Sequence, residues 1–344
     1  MMMKQVTLGN TGITVPQNGF GMLPLQRISV EAAVRLLHRA YDGGMRFFDT
    51  AHGYTDSEYK FGQAFPDGRK EIVLATKTHA ATPEELRADL ENSLRMMKTD
   101  HIDIFQLHQI PKVFRPGDGT GIYEELLRAK KEGLVLHIGF TAHKIDLAEE
   151  GIASGLYETV QYPMSYLATD REIDLVRQAK EAGMGFICMK GLAGGLLTRS
   201  DACMAFMTQF DNAVPIWGIQ RENELDEWLS YMDHTPELND EIRAFIEKER
   251  KELSGDFCRS CGYCMPCPAG IEIRNCARMS QLIRRAPSEQ YFSEKWQAKM
   301  QKIDDCLGCY QCASKCPYGL DTPVLLKKNY EDYKRIIAGE VSVK

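Results

Sequence analysis

The 344-residue chain predicts an α/β protein: a closed (β/α)8 TIM barrel followed by a smaller, mostly α-helical C-terminal domain. Three observations carry that reading. Short apolar runs alternate with amphipathic stretches eight times within roughly 230 residues, close to the ~250 residues such a barrel usually takes. No early GxGxxG supports the competing solution, an open doubly wound sheet. Nine of the eleven cysteines fall between Cys258 and Cys316, so the composition changes abruptly after the last repeat.

Before the first repeat, VTLGNTGITVP reads as a hairpin turning over Asn10 to Gly12, placed to plug the bottom of a barrel. The eight strands are expected in NGFGM, MRFFDT, IVLATK, HIDIFQLH, LVLHIGFT, TVQY, GFICMK and AVPIWGI, each followed by a helix. SVEAAVRLLHRAYDGG starts on a Ser29 cap and stops at Gly43 and Gly44. In TPEELRADLENSL, Thr82 caps, Pro83 takes the first turn and Glu85 closes a capping box. Leu86, Leu90 and Leu94 then recur at four-residue spacing as the buried stripe. The expected boundaries are 1–234 for the barrel, 235–254 for a charged helical connector and 255–344 for the cysteine domain. In that last part RNCARMSQLIRRA, SEKWQAKMQKIDD and VLLKKNYEDYKRIIAG read as helices.

Composition bounds the function. At 44% apolar residues the chain buries a sizeable core, and a net charge of −6 weighs against a nucleic-acid footprint. The start lacks an apolar segment of signal-peptide length and no run approaches membrane-spanning length, so a cytoplasmic protein without a membrane partner is expected. Eleven cysteines in that setting point to metal or redox use instead of disulfides.

In a barrel of this kind chemistry collects at the C-terminal ends of the strands. The second strand ends in FFDTAHGY, giving Asp49 and Tyr54; the third ends at Lys77 and the fourth at His108. Singly, these read as a turn aspartate, a loop tyrosine, an edge lysine and a core histidine. Together they gather on three neighbouring strands at one end. They also form a working set. Reduction of a carbonyl by hydride needs an acid for the forming alkoxide. A tyrosine with its ordinary pKa of about 10 donates reluctantly at neutral pH, and a lysine cation beside it is expected to lower that value. Asp49 would hold the lysine, and His108 would orient the carbonyl or stabilise charge on its oxygen.

FFDTAHGYTDSEYKFGQAF, VLATKT and IDIFQLH are similar to the motifs of the aldo/keto reductase superfamily, and the resemblance spans roughly residues 4–232. It implies that Asp49, Tyr54, Lys77 and His108 are a catalytic tetrad with Tyr54 the general acid. It implies NADP or NAD bound without a Rossmann motif, and a small carbonyl or alcohol as substrate. Gln161 resembles the residue that bonds the nicotinamide carboxamide, Thr141 stands where a serine often does, and Met189, Lys190, Gly191, Leu192 and Gly194 lie in the run resembling the pyrophosphate loop. Gly218, Arg221 and Glu227 fall at the adenosine end. The sequence departs from the family pattern at Ala142 and Ser165, where asparagines are frequent, and at Met189, where an aromatic often stacks. Gly218 and Glu224 stand where NADP-preferring members often carry Lys and Arg, while Arg221 suits a 2′-phosphate.

Cys306, Cys309, Cys312, Cys316 and Pro317 form C-x2-C-x2-C-x3-C-P, the bacterial ferredoxin signature of a [4Fe–4S] cluster; zinc is the alternative, but its sites pair two separated C-x2-C units. Cys258, Cys261, Cys264 and Cys267 repeat the pattern with one residue fewer before the fourth cysteine. In two-cluster ferredoxins the fourth cysteine ligates the other cluster. The expected sets are therefore Cys258, Cys261, Cys264 with Cys316, and Cys306, Cys309, Cys312 with Cys267. Cys276 reads as a buried apolar residue, and Cys188 and Cys203 as barrel residues. The long helical gap between the runs resembles α-helical ferredoxin-type domains, which a subset of aldo/keto reductases carries. Two functions follow. One is a nicotinamide-dependent carbonyl reductase with two [4Fe–4S] clusters; the other is an electron-transfer oxidoreductase whose clusters pass single electrons from a redox partner protein to a substrate in the barrel.

Overall fold

The computed structural model describes residues 2–69, 71–253, 257–285 and 288–343. The hairpin forms as expected: β1 (Gln5–Thr7) pairs antiparallel with β2 (Thr14–Pro16). Eight parallel strands follow: β3 (Gly19–Gly21), β4 (Phe47–Asp49), β5 (Val73–Thr78), β6 (Ile102–Leu107), β7 (Val135–Thr141), β8 (Thr159–Pro163), β9 (Gly185–Met189) and β10 (Ala213–Gly218). They close with β10 beside β3; six lie within the runs expected for them, and β5 and β8 run one residue past theirs, to Thr78 and Pro163. Val6, Leu8 and Val15 of the hairpin region join Phe47, Ala75, Ile104, Ile187 and Val214 in one buried cluster, so the hairpin caps the barrel interior.

The barrel helices are α1 (Val30–Asp42), α2 (Ser57–Ala64), α3 (Pro83–Met97), α4 (Ile122–Lys131), α5 (Ile145–Ala153), α6 (Asp170–Glu181), α7 (Ser200–Met207) and α8 (Glu222–Asp233). Ser29 and Thr82 cap α1 and α3 through their side chains. The box at α3 differs from expectation. Glu85 accepts from the N–H of Ala81 at 2.8 Å, one residue before the cap, because the chain enters the helix from an extended Thr82. Its buried stripe runs Leu86, Leu90, Ser93 and Met97, and Leu94 is half-buried.

The remaining helices are α9 (Asp240–Glu252), α10 (Ile273–Cys276), α11 (Met279–Arg285), α12 (Glu294–Gln301), α13 (Gln311–Ser314) and α14 (Thr322–Ile337). The chain divides into two compact units: residues 1–191 with 200–243, and residues 192–199 with 244–344. The expected junction at 254 and 255 lies outside the described residues. In the second unit Ile273, Met279, Leu282, Met300, Ile303, Leu326 and Tyr333 make a small apolar core. The single helix expected over RNCARMSQLIRRA is broken at Ala277 and Arg278, and its Ala286 lies outside the described residues. Asn329 holds the break: its amide donates to Ala277 O at 3.2 Å and its oxygen accepts from Ser280 N–H at 2.9 Å. Among the described residues no helix is long and apolar enough to cross a membrane.

Candidate active site

The four strand-end residues converge in the barrel unit. Asp49 closes β4, and Lys77 projects from β5 so that its Nζ donates to Asp49 Oδ1 at 2.6 Å. Gln106, paired with Lys77 across β5 and β6, donates to the other Asp49 oxygen at 3.5 Å. The loop after β4 is pinned by the His52 N–H to Lys77 O at 2.9 Å and by Thr50 Oγ1 to Ser57 Oγ at 2.9 Å. That loop brings Tyr54 over the site, its ring centroid 5.4 Å from Lys77 Nζ and 5.8 Å from the His108 ring, which it meets edge-on. His108 follows β6 and is fixed by its N–H to Thr78 O at 2.8 Å.

Electrostatics correct one expectation. Burial raises the Tyr54 phenol above its ordinary pKa, and the Asp49 charge raises it further. The lysine cation does not reverse this, because Asp49 already neutralises it at hydrogen-bond distance. Tyr54 is thus held in the protonated form. Burial pushes Asp49 up and Lys77 down, each opposed by the partner's charge. His108 is held well below the ordinary imidazole value, by burial first and then by the Lys77 cation. It is neutral at pH 7.

Two further histidines belong to this mouth and were missed from sequence. His79 stacks on His108 with ring centroids 4.0 Å apart. His143, after β7, is buried and its pKa is pushed down to about 3, by burial and then by Lys190. Gln106 was missed as well. The signals were present: His79 stands two residues past Lys77, His143 two past Thr141, and Gln106 two before His108 on the same strand face.

The residues proposed for a nicotinamide dinucleotide are distributed unevenly. Thr141 and Gln161 are paired across β7 and β8 and both are buried. The Thr141 hydroxyl accepts from Gln109 N–H at 2.7 Å. Gln161 bonds Asp49 through its side chain, while its Oε1 is buried without a hydrogen bond among the described residues. Met189 is half-buried against the barrel interior. Gly191 is required by packing, since an added Cβ would stand 2.4 Å from the Trp217 ring. Leu192 and Gly194 group with the second unit, while Lys190 remains with the barrel. Gly218 and Arg221 are exposed at the β10–α8 junction, and Glu227 is exposed in the middle of α8. There Glu224 accepts the N–H groups of Gln220 at 2.9 Å and Arg221 at 3.1 Å, and Glu227 accepts from Ser200.

In the second unit the two cysteine runs approach one another. One pocket is lined by Cys264, Cys267, Cys306, Cys309 and Cys312. Ser260 N–H points to Cys258 Sγ at 3.4 Å. Among the described residues no three His, Cys, Asp or Glu side chains converge on a single point. Cys276 is fully buried with its Sγ toward Lys299 O at 3.8 Å, and Cys188 and Cys203 are buried in the barrel unit.

Residues 17–212 match the aldo/keto reductase family. The chain belongs to that family. Residues 257–321 match a 4Fe-4S dicluster domain, so this is an aldo/keto reductase oxidoreductase with an iron–sulfur domain appended. It is 30% identical over 225 residues to an uncharacterised oxidoreductase, YrpG, of Bacillus subtilis, covering 57% of this chain and 68% of that one. It is 31% identical over 215 residues to the methylglyoxal reductase DkgB of Salmonella typhi, covering 59% and 76%. An aldo-keto reductase of Bacillus halodurans, solved in holo form, superposes with a TM-score of 0.64 at 21% identity, over 72% of this chain and 96% of that one. At that identity the likeness speaks for the fold alone.

The residues of this aldo/keto reductase fit a nicotinamide. The unbonded Gln161 Oε1 is a buried acceptor, and a carboxamide N–H2 is the donor such a site lacks. The eight cysteines of the two runs, within a matched 4Fe-4S dicluster domain, suit two [4Fe–4S] clusters by ligand type and number.

Proposed function

We propose that this protein is a nicotinamide-dependent reductase of small carbonyl compounds, or the corresponding alcohol dehydrogenase in reverse, with Tyr54 as general acid. The observation that supports it is the convergence of Tyr54, Lys77 and His108 around one point at the barrel mouth. The dinucleotide, when bound, supplies hydride to the carbonyl carbon. The chain supplies the rest. Neutral His108 donates a hydrogen bond that orients the carbonyl oxygen and takes up part of its developing charge. Tyr54 gives its proton to that oxygen as the C–H bond forms, so the carbonyl gains one hydride and one proton and leaves as an alcohol. Lys77, held by Asp49, lies beneath the Tyr54 ring and positions it for that transfer. Gln161 orients the carboxamide. The methylglyoxal reductase among the relatives agrees with a small carbonyl substrate. The two crossed cysteine sets hold the clusters, and the protein works in the cytoplasm.

Carbonyl-dependent oxidation of NADH and NADPH, measured anaerobically, tests the reading. Tyr54→Phe should lose about 10²–10⁴-fold in kcat with nicotinamide affinity retained, the usual size of a general-acid contribution. Equal rates in the two proteins would remove Tyr54 from the chemistry.

A second reading, electron transfer through the clusters from a redox partner, is favoured by one observation. Cys309 is exposed and lies between Leu307, 70% exposed, and Tyr310, 54% exposed, an apolar rim around a thiol ligand. Substrate turnover by reduced protein without nicotinamide would select it.

A further inference from the structure

The imidazole of His108 is held in an unusual way. In most working histidines one ring nitrogen is bonded to the protein, and that bond fixes which nitrogen carries the proton. Here the Nδ1 of His108 is buried and makes no hydrogen bond among the described residues. Its backbone is tied, by the N–H to Thr78 O at 2.8 Å, but that bond leaves the ring free to turn. What the ring does have is two aromatic neighbours. Tyr54 meets it edge-on, with centroids 5.8 Å apart and planes at 78°, and His79 stacks on its face at 4.0 Å and 28°.

His79 is itself anchored. Thr78, just before it, accepts the Ala80 N–H on its hydroxyl at 2.9 Å and donates that hydroxyl to Asp89 of α3. The backbone at residue 79 is thereby closed into a tight turn, and the same Thr78 gives its carbonyl to His108. His79 also reaches the loop that carries Tyr54: a Cβ added at Gly53 would stand 3.6 Å from His79 Nδ1. One exposed ring thus touches both His108 and the turn that presents Tyr54. The stack suits two uncharged rings. Burial lowers the His79 pKa, as it does that of His108; at His79 the Gln109 side chain and Asp89 oppose the shift, while Lys77 and His52 add to it. Both imidazoles are neutral at pH 7, so their faces meet without like-charge repulsion.

We propose that His79 is a positioning residue for His108: its stacked ring fixes the plane of that imidazole and so the aim of its Nε2–H. A buried N–H without a partner is rarer than a buried acceptor without one, so the single proton of the neutral ring belongs on Nε2. No bond at Nδ1 enforces that arrangement, and the packing of His79 against the ring face takes its place. Without the stack the ring can rotate and exchange its two nitrogens, which misdirects the donor. The effect on turnover rests on the function proposed above, in which His108 donates to the carbonyl oxygen; the state of the ring does not.

The test uses the anaerobic, oxidised holoprotein with nitrogen-15 in the rings of its eight histidines, the His108 signals being assigned with His108→Gln. In wild type the two ring nitrogens of His108 should give the well-separated shifts of one neutral tautomer, protonated at Nε2. His79→Ala should draw those shifts together as the tautomers exchange. It should also lower kcat and kcat/KM for the carbonyl alike by about tenfold, the upper worth of an aromatic pair, with nicotinamide affinity unchanged. His79→Phe keeps a ring on the face of His108; it should restore the separated shifts and bring kcat to within about threefold of wild type. His79→Leu fills space without a ring and should do neither. Unaltered His108 shifts in His79→Ala overturn the proposal, and so does a His79→Leu protein indistinguishable from His79→Phe. A protein in which His79 governs the His108 shifts but no carbonyl is reduced would refute the proposed function and leave this inference standing.

Discussion

Lys77 Nζ lies 2.6 Å from Asp49 Oδ1, and the two side chains are 1% and 3% exposed. Such a pair is a liability as well as a device. Taken out of water, each charge depends on the other, and neither finds an equal substitute when its partner is removed. Asp49→Asn should therefore cost about 3–5 kcal/mol of barrel stability in chemical denaturation. Adding Lys77→Met should recover most of that loss while leaving the protein inactive. A single-variant cost below about 1 kcal/mol would mean that the pair is not the buried ionic unit described.

Under the proposed function, the raised Tyr54 and lowered His108 pKa values should set the pH profile of carbonyl reduction. A raised phenol keeps its proton as pH climbs, so the donor form is lost only above the ordinary tyrosine value of about 10. A lowered imidazole stays neutral as pH falls through its ordinary value of about 6.5. The reductive kcat should be flat between about pH 6 and 9. An acid limb near 6.5 that disappears in His108→Gln would show that His108 titrates normally and is not the neutral donor.

Much of this was legible in the chain, for reasons that differ by residue. Strand runs such as IVLATK and LVLHIGFT are apolar enough for a fully enclosed parallel barrel, so all eight surfaced. Asp49, Lys77 and His108 could be grouped because strand ends in a closed barrel share one face. The direction of the Tyr54 shift could not, because it depends on how completely Asp49 neutralises the lysine, a matter of distance. Nor could the break at Arg278, where local periodicity favours one helix and the long-range clasp from Asn329 overrides it. The same is true of the loop 192–199, whose first residues resemble a pyrophosphate loop in sequence and whose Ala193 and Gly194 carbonyls are held by an arginine more than 80 positions away.

The proposed crossed ligation makes a test by iron content. Cys316→Ala should reduce about eight iron per chain to about four. If Cys316 and Cys258 serve the same cluster, the double variant Cys316→Ala/Cys258→Ala keeps about four, whereas Cys316→Ala/Cys306→Ala keeps almost none. Uncrossed ligation gives the reverse pair of results. The shortened spacing before Cys267 makes Cys267→Ala the companion experiment, with loss of the cluster of Cys306, Cys309 and Cys312 expected.

Under the proposed function, coenzyme choice should turn on Glu224. Its carboxylate already accepts the Gln220 and Arg221 N–H groups that open α8, and it lies 3.7 Å from the Arg221 guanidinium. If α8 begins at the adenosine end of the dinucleotide, a 2′-phosphate there would meet a carboxylate instead of free donors. Juxtaposed like charges cost several kcal/mol unless they move apart. NADH should be the preferred coenzyme. Glu224→Gln keeps an acceptor for the helix start while removing the charge, and should raise kcat/KM for NADPH about tenfold or more with little change for NADH. Coenzyme titrations of both proteins decide it: a wild type that prefers NADPH, or a variant with unaltered NADPH kinetics, would place the 2′ position away from this helix.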